Sequence, residues 1–164
     1  WLAESADLPG RIRQGFALHR WRPFPTDGTT QGMRAEPLAA FLREGLVPPP
    51  ARVGELGEAE KRGQEIFASE SAACARCHTP ETGYTNRMAM PLPVRRSRAA
   101  FDGDPAPAFK VPSLFYVGDT APYFHDGRYG TLDELLRKCD GTMGHTAQLS
   151  PADREALGAY VESL

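Results

Sequence analysis

The chain has 164 residues, enough for one ordinary core or for a small domain joined to part of another. Nineteen basic against 21 acidic residues leave a net charge of −2, which offers no electrostatic footprint for nucleic acid, and no run approaches the roughly 18 apolar residues of a membrane span. Sixteen glycines and fifteen prolines exclude a chain that is helical throughout and point to a few helices joined by long loops.

The amino terminus, WLAESADLPGRIRQ, lacks the charged start, apolar core and cleavage site of a signal peptide, so the chain reads as soluble and mature. Residues 28–46, GTTQGMRAEPLAAFLREGL, echo residues 141–164, GTMGHTAQLSPADREALGAYVESL. Both run from Gly-Thr through a nearby methionine and glycine to a closing amphipathic helix. The echo suggests that residues 1–46 are the tail of a domain of the same kind as the one that follows, with its front missing. Residues 47–54, VPPPARVG, form a Pro-rich linker, because successive prolines exclude helix and favour an extended spacer. The main domain is then 55–164.

Within it, ELGEAEKRGQEIFAS carries Leu56, Ala59, Gly63, Ile66 and Phe67 at spacings of three and four, one apolar stripe on a helix. Gly63, one turn before Phe67, leaves room for a second helix to cross closely. From Thr79 to Gly130 the chain shows seven prolines and no sustained period, and so long a stretch in a compact domain is functional or wraps around something. Thr131 then caps TLDELLRKCD with Glu134 three residues on, Leu132, Leu135, Leu136 and Cys139 share a face, and Gly141 closes the helix. Ser150, Pro151 and Asp153 are an N-cap, a first-turn proline and a first-turn acid for a terminal helix that puts Leu157, Tyr160, Val161 and Leu164 on one side.

The chemistry sits in ESAACARCHTPETGY, residues 70–84. Three cysteines are an odd number, which argues for a pair with a special task, Cys74 and Cys77, plus one spare. On a helix Cys74, Cys77 and His78 fall at i, i+3 and i+4 and project from one face. Covalent haem suits that geometry: two thiols meet the vinyl edge of the porphyrin and the imidazole reaches the iron. Zinc needs further ligands, for which Cys139 and His145 are the candidates, although Cys139 lies in an apolar seam where a packed thiol is the simpler reading. A redox disulfide needs a βαβ setting, and none is visible. A haem would also explain the loop from 79 to 130.

For the sixth position on an iron the candidates are Met88, Met90, His125, Met143 and His145. Met143 follows a glycine-bounded helix end and could swing its thioether over the open face. Met88 and Met90 lie in a proline-rich segment close behind His78, where packing or exposure is the simpler fate, and His125 reads first as a hydrogen-bonded turn histidine.

AEKRGQEIF before CARCH, then FKVPSLFYVGDTAPYFHDGRYGTLDELL, then TMGHTAQLSPADREALGAYVESL, resemble the carboxy-terminal haem domain of the bacterial di-haem cytochrome c peroxidase family, which includes the MauG-like proteins. The match runs in order from about residue 50 to 164, and AEPLAAFLREGLVPPP resembles the end of that family's first domain and its linker. The resemblance implies an all-α class I cytochrome c fold with few helices and long haem-wrapping loops. It implies one haem c on Cys74 and Cys77, His78 as proximal ligand and Met143 as distal ligand. Thr120 and Pro122, in TAPYFHDG, match positions whose main-chain oxygens help bind calcium in the peroxidases, a site in doubt here with most of the other domain absent. The departure that matters is a single C-x-x-C-H: the family's peroxidase chemistry takes place at the other haem, and residues 1–46 hold no attachment site. Trp21 is not equated with the family's tryptophan between the haems.

Histidine and methionine ligation gives an iron with no open site, whose soft thioether favours the ferrous state. The sequence therefore suggests an electron-transfer haem domain of a larger periplasmic redox protein, whose partner is a redox protein or a second haem domain. The alternative is half of a di-haem, peroxide-reducing enzyme in which Met143 leaves the iron open, and a weaker reading is a gas sensor. Pro112, in KVPSL, is the candidate carbonyl acceptor for the proximal imidazole. Arg128 is the candidate for a haem propionate, and Arg95, Arg96 and Arg98 for a docking patch.

Overall fold

The computed structural model describes residues 7–18, 30–45, 54–91 and 108–164, and the chain divides into two compact units between Pro49 and Pro50. Trp21, Arg95, Arg96 and Arg98 lie outside the described residues.

In the amino-terminal unit, α1 (Leu8–Leu18) packs on α2 (Thr30–Ala40). Ala35 and Ala39, four apart on α2, are fully buried. Pro37 within α2 has no N–H to donate to the preceding turn, and the chain continues as a π-helical turn over Phe41–Gly45. Met33, Leu38, Phe41 and Leu42 are exposed.

The second unit is built on α3 (Glu58–Ala68) crossing α5 (Pro151–Glu162), with α4 (Leu132–Lys138) against α5. The crossing is close because Gly63 has no side chain: a Cβ there would lie 2.0 Å from the Ala156 carbonyl oxygen. Ile66 and Phe67 of α3 meet Leu157, Tyr160 and Val161 of α5 in one core with Ala72, Cys74, Tyr123, Leu132 and Leu136. Leu157 is fully buried, a burial of about 1.5–3 kcal/mol for a side chain of that size. Ala59 is exposed, since α3 begins only at Glu58 and its first turn lies outside the crossing.

The helix ends follow the capping residues. Ser150 Oγ accepts from the Asp153 N–H at 3.1 Å with Pro151 in the first turn, and Asp153 also takes Arg62 of α3 at 2.9 Å. Thr131 Oγ1 accepts from the Glu134 N–H at 3.1 Å, while the Glu134 carboxylate reaches back one residue further, to the Gly130 N–H. After α4 the chain turns at Gly141, whose φ of +70° suits glycine.

The fold is mostly helical, with one departure from an all-α chain. β1 (Ala89–Pro91) and β2 (Ala108–Lys110) pair antiparallel, Met90 opposite Phe109, and Tyr123 bridges Tyr129. No described helix is long and apolar enough to cross a membrane.

Candidate haem site

Cys74, Cys77 and His78 lie on a single 3₁₀ turn over Cys74–Arg76 and its exit, not on a longer α-helix. The Cys74 carbonyl accepts from the Cys77 N–H at 3.3 Å and from the His78 N–H at 3.0 Å, so one main-chain oxygen holds all three residues together. The turn is entered through Ala73 in the left-handed region, at φ 59°.

Burial pushes the Cys74 thiol up to about 11, and the neighbouring Cys77 acts the same way. A redox-active pair of this spacing instead depresses its attacking thiol, and no disulfide joins the three cysteines. Cys139, at the end of α4, is buried and pushed up to about 11 by burial as well, and the His145 residue is exposed. Among the described residues no three His, Cys, Asp or Glu side chains are gathered to hold a metal ion, so these do not assemble a zinc site.

The His78 imidazole is oriented by main-chain oxygen. Nδ1 lies 2.9 Å from the carbonyl of Tyr84, and the Pro112 carbonyl also acts on the ring. Burial lowers the imidazole's pKa and is the larger influence; the two carbonyls oppose it. The expected acceptor, Pro112, is thus joined by Tyr84, which supplies the close hydrogen bond. Tyr84 delivers its carbonyl from a left-handed conformation, φ 57°, rare for an aromatic residue. Its side chain secures that posture: Oη lies 2.9 Å from Tyr160 Oη, and the ring packs edge-on against Phe67 and Phe115.

Met143 sits half-buried in the loop between α4 and α5. Gly141 N–H donates to the Gly144 carbonyl at 2.7 Å, and the Met143 N–H to the Cys139 carbonyl at 3.3 Å. The loop is fastened to the cysteine turn by the His145 N–H on the Ala72 carbonyl at 2.9 Å and by the Gln148 amide on the Ser71 carbonyl at 3.2 Å. Gly144, at φ 137°, makes the approach possible: a Cβ there would lie 2.6 Å from the Ala72 carbonyl oxygen and 3.4 Å from Cys74 Sγ. Asp140 Oδ1 accepts from the N–H groups of Thr146 and Ala147, which lowers its pKa.

Met88 is exposed, Met90 faces Phe109 across the two-stranded sheet, and His125 stacks on Phe109. Arg128 is committed within its own turn: Nε donates to both carboxylate oxygens of Asp126 at 2.9 Å, and the guanidinium lies over the Phe124 ring. Thr120 and Pro122 are exposed, and the Thr120 hydroxyl is spent on the Val117 carbonyl.

No family model matches the chain, and no curated protein matches it. Among solved structures it is similar to a hydrazine synthase of Kuenenia stuttgartiensis, at 21% identity and a TM-score of 0.60 over 80% of this chain and 55% of that one. It is also similar to a MauG-like protein associated with microbial copper homeostasis, at 20% identity and a TM-score of 0.55 over 77% of this chain and 47% of that one. The likeness is one of fold, and the chain spans about half the length of the structures it matches.

Proposed function

We propose that the chain carries single electrons through one haem c, attached at Cys74 and Cys77 and ligated by His78 and Met143. The observation that carries this reading is the fastening of the Met143 loop to the cysteine turn. Gly144 lies against the Ala72 carbonyl and Cys74 Sγ, so a thioether donor and a thiol-imidazole turn are held as one unit. The residues suit the group. With Nδ1 engaged by the Tyr84 carbonyl, Nε2 is the nitrogen left to meet a metal, and an acceptor at Nδ1 makes it the stronger donor. The two cysteines stand three apart on the same turn.

When bound, the haem supplies a one-electron couple whose potential a thioether ligand raises. The chain's part is to hold that couple still. Tyr84 and Pro112 fix the imidazole, the α3–α5 core backs the cysteine turn, and the loop from Cys139 to Gln148 keeps Met143 in register. Ligation by both His78 and Met143 would leave peroxide no vacant site, which favours relay over turnover. Because haem c is attached outside the cytoplasmic membrane, the proposed location is the periplasm, with a redox protein or a second haem domain as partner.

Optical spectra of the purified protein, oxidised and reduced, test the reading. Haem c bands with the deep-red methionine-to-iron charge-transfer band, the latter lost in Met143→Ala, are the expected result. A high-spin ferric form that reacts with peroxide would instead make this half of a peroxidase-like enzyme. The absence of haem from protein matured in a haem-attaching periplasm would overturn the proposal.

A further inference from the structure

One buried ring nitrogen of this unit has no hydrogen-bond partner among the described residues. The His125 side chain is 14% exposed, stacked on Phe109 with ring centroids 4.2 Å apart and 20° between planes, and flanked by Phe124 at 4.7 Å. Its Nδ1 lies 3.9 Å from Asp126 Oδ1, beyond hydrogen-bond distance, and its Nε2 is buried and unpaired. Buried polar atoms are almost always satisfied, so an orphan of this kind marks a missing acceptor or a functional role.

The surroundings select the acceptor. Asp126 and Arg128 are the charged groups that act on His125, and they are spent on each other through the two Nε bonds. Arg128, the residue expected to meet a haem propionate, therefore has its Nε and one terminal nitrogen occupied by a carboxylate of the chain itself. His125 Nε2 is a buried nitrogen that neither of them engages. It also stands in the right part of the fold: Phe109, its stacking partner, is three residues ahead of Pro112, whose carbonyl acts on the His78 imidazole. Among the described residues no cluster of ligands accompanies it, so an anion rather than a metal fits.

We propose that the His125 Nε2–H donates a hydrogen bond to a carboxylate of the prosthetic group, with the ring held by its packing against Phe109 and Phe124. The inference rests on the haem reading above and deepens it, since haem carries two such carboxylates. An N–H on a carboxylate stabilises its negative charge and so reduces the bias towards ferric iron that the bare charge imposes.

The test uses the full holoprotein and three variants. His125→Phe keeps the stack and loses the donor, His125→Asn is polar but stops short of the Nε2 position, and His125→Gln places an amide N–H near it. Haem content and optical bands are measured first, then the midpoint potential by spectroelectrochemical titration. His125→Phe and His125→Asn should shift the reduction equilibrium about tenfold towards the ferric form, or about 59 mV for a one-electron couple. His125→Gln should recover at least half of that shift with coordination bands unchanged. Should the phenylalanine variant fail to fold, the asparagine–glutamine difference decides. Equal potentials across the folded proteins would overturn the inference while leaving the haem reading intact. Loss of the methionine charge-transfer band in the histidine variants would overturn it, because His125 would then act on the Met143 loop rather than on a carboxylate. Wild-type protein without haem bands would remove the haem reading itself.

Discussion

Adding one methyl group at Gly63 tests whether the α3–α5 crossing is the keystone of the second unit. In an exposed helix, Gly→Ala stabilises by about 1 kcal/mol. Here the new Cβ would lie 2.0 Å from the Ala156 carbonyl oxygen and 2.7 Å from both the Ala156 carbonyl carbon and Tyr160 Cβ. Backbone atoms cannot rotate away as a side-chain tip can, so the helices must separate by more than an ångström. Overpacking of a filled core costs about 1–3 kcal/mol and sometimes more, and separation also unseats Phe67 from Tyr160. The net expectation for Gly63→Ala is a loss of about 2 kcal/mol, or roughly 6–10 °C in Tm for a domain of this size. Gly158→Ala on α5 is the control. Its Cβ would meet only Leu136 Cδ1 at 3.8 Å, an ordinary contact, so it should gain up to about 1 kcal/mol. Urea and thermal denaturation followed by far-ultraviolet circular dichroism read both. If Gly63→Ala is neutral, or matches Gly158→Ala in sign, the close crossing is not what the core depends on.

Gly144→Ala places a non-glycine residue at φ 137° and drives its Cβ to 2.6 Å from the Ala72 carbonyl, a strain of about 1–3 kcal/mol. The fastened loop should lift, and the methionine charge-transfer band should weaken while haem attachment persists. Tyr160→Phe removes the hydroxyl that meets Tyr84 Oη at 2.9 Å and should cost about 1 kcal/mol by chemical denaturation. Tyr84→Phe should cost the same, and the double variant no more than either alone if the bond is their shared contribution. The Asp126 carboxyl is held below its usual range chiefly by the hydrogen bond from Arg128, so its folded-state pKa is depressed. Its stabilisation is fully present above the ordinary value of about 4 and is lost as pH falls through the lower folded value. Urea midpoints across an acidic pH series should show this loss, and Asp126→Asn should flatten that part of the profile.

What the residues announced, they announced through side-chain type at fixed spacing. Ser150 with Pro151 and Asp153, Thr131 with Glu134, and the small residue one turn before Phe67 each carry a local physical instruction, and each is used in the structure. The apolar stripe of α3 overreached at Ala59, because periodicity marks a face without saying where its partner ends. The two strands went unread for a different reason. Each is three residues long, one ends in proline, and their pairing joins residues as far apart as Ala89 and Lys110 with no alternation to reveal it. For Arg128, the candidate for a haem propionate, the sequence does not announce its pairing with Asp126 two residues away, which the tight turn at Gly127, φ +69°, makes possible.

The candidate site was legible in its donors and nearly illegible in its supports, and the difference has one cause. Cysteine, histidine and methionine are chemically distinctive, whereas the groups that orient them are main-chain oxygens. The Tyr84 carbonyl holds Nδ1 of His78, the Cys74 carbonyl ties the turn, and the Ala72 and Ser71 carbonyls fasten the Met143 loop. Any residue can supply a carbonyl, so only the conformation that aims it leaves a trace in the sequence, and then weakly. Gly144 leaves one, because φ 137° and a close carbonyl together exclude a Cβ. Tyr84 leaves none at its own position, since its left-handed φ is stabilised 76 residues away by Tyr160. It follows that exchanges at Tyr160 or Gly144, neither of them a proposed ligand, should move the ligand geometry more than exchanges at exposed Met88 or His145, whose residue types match the site better.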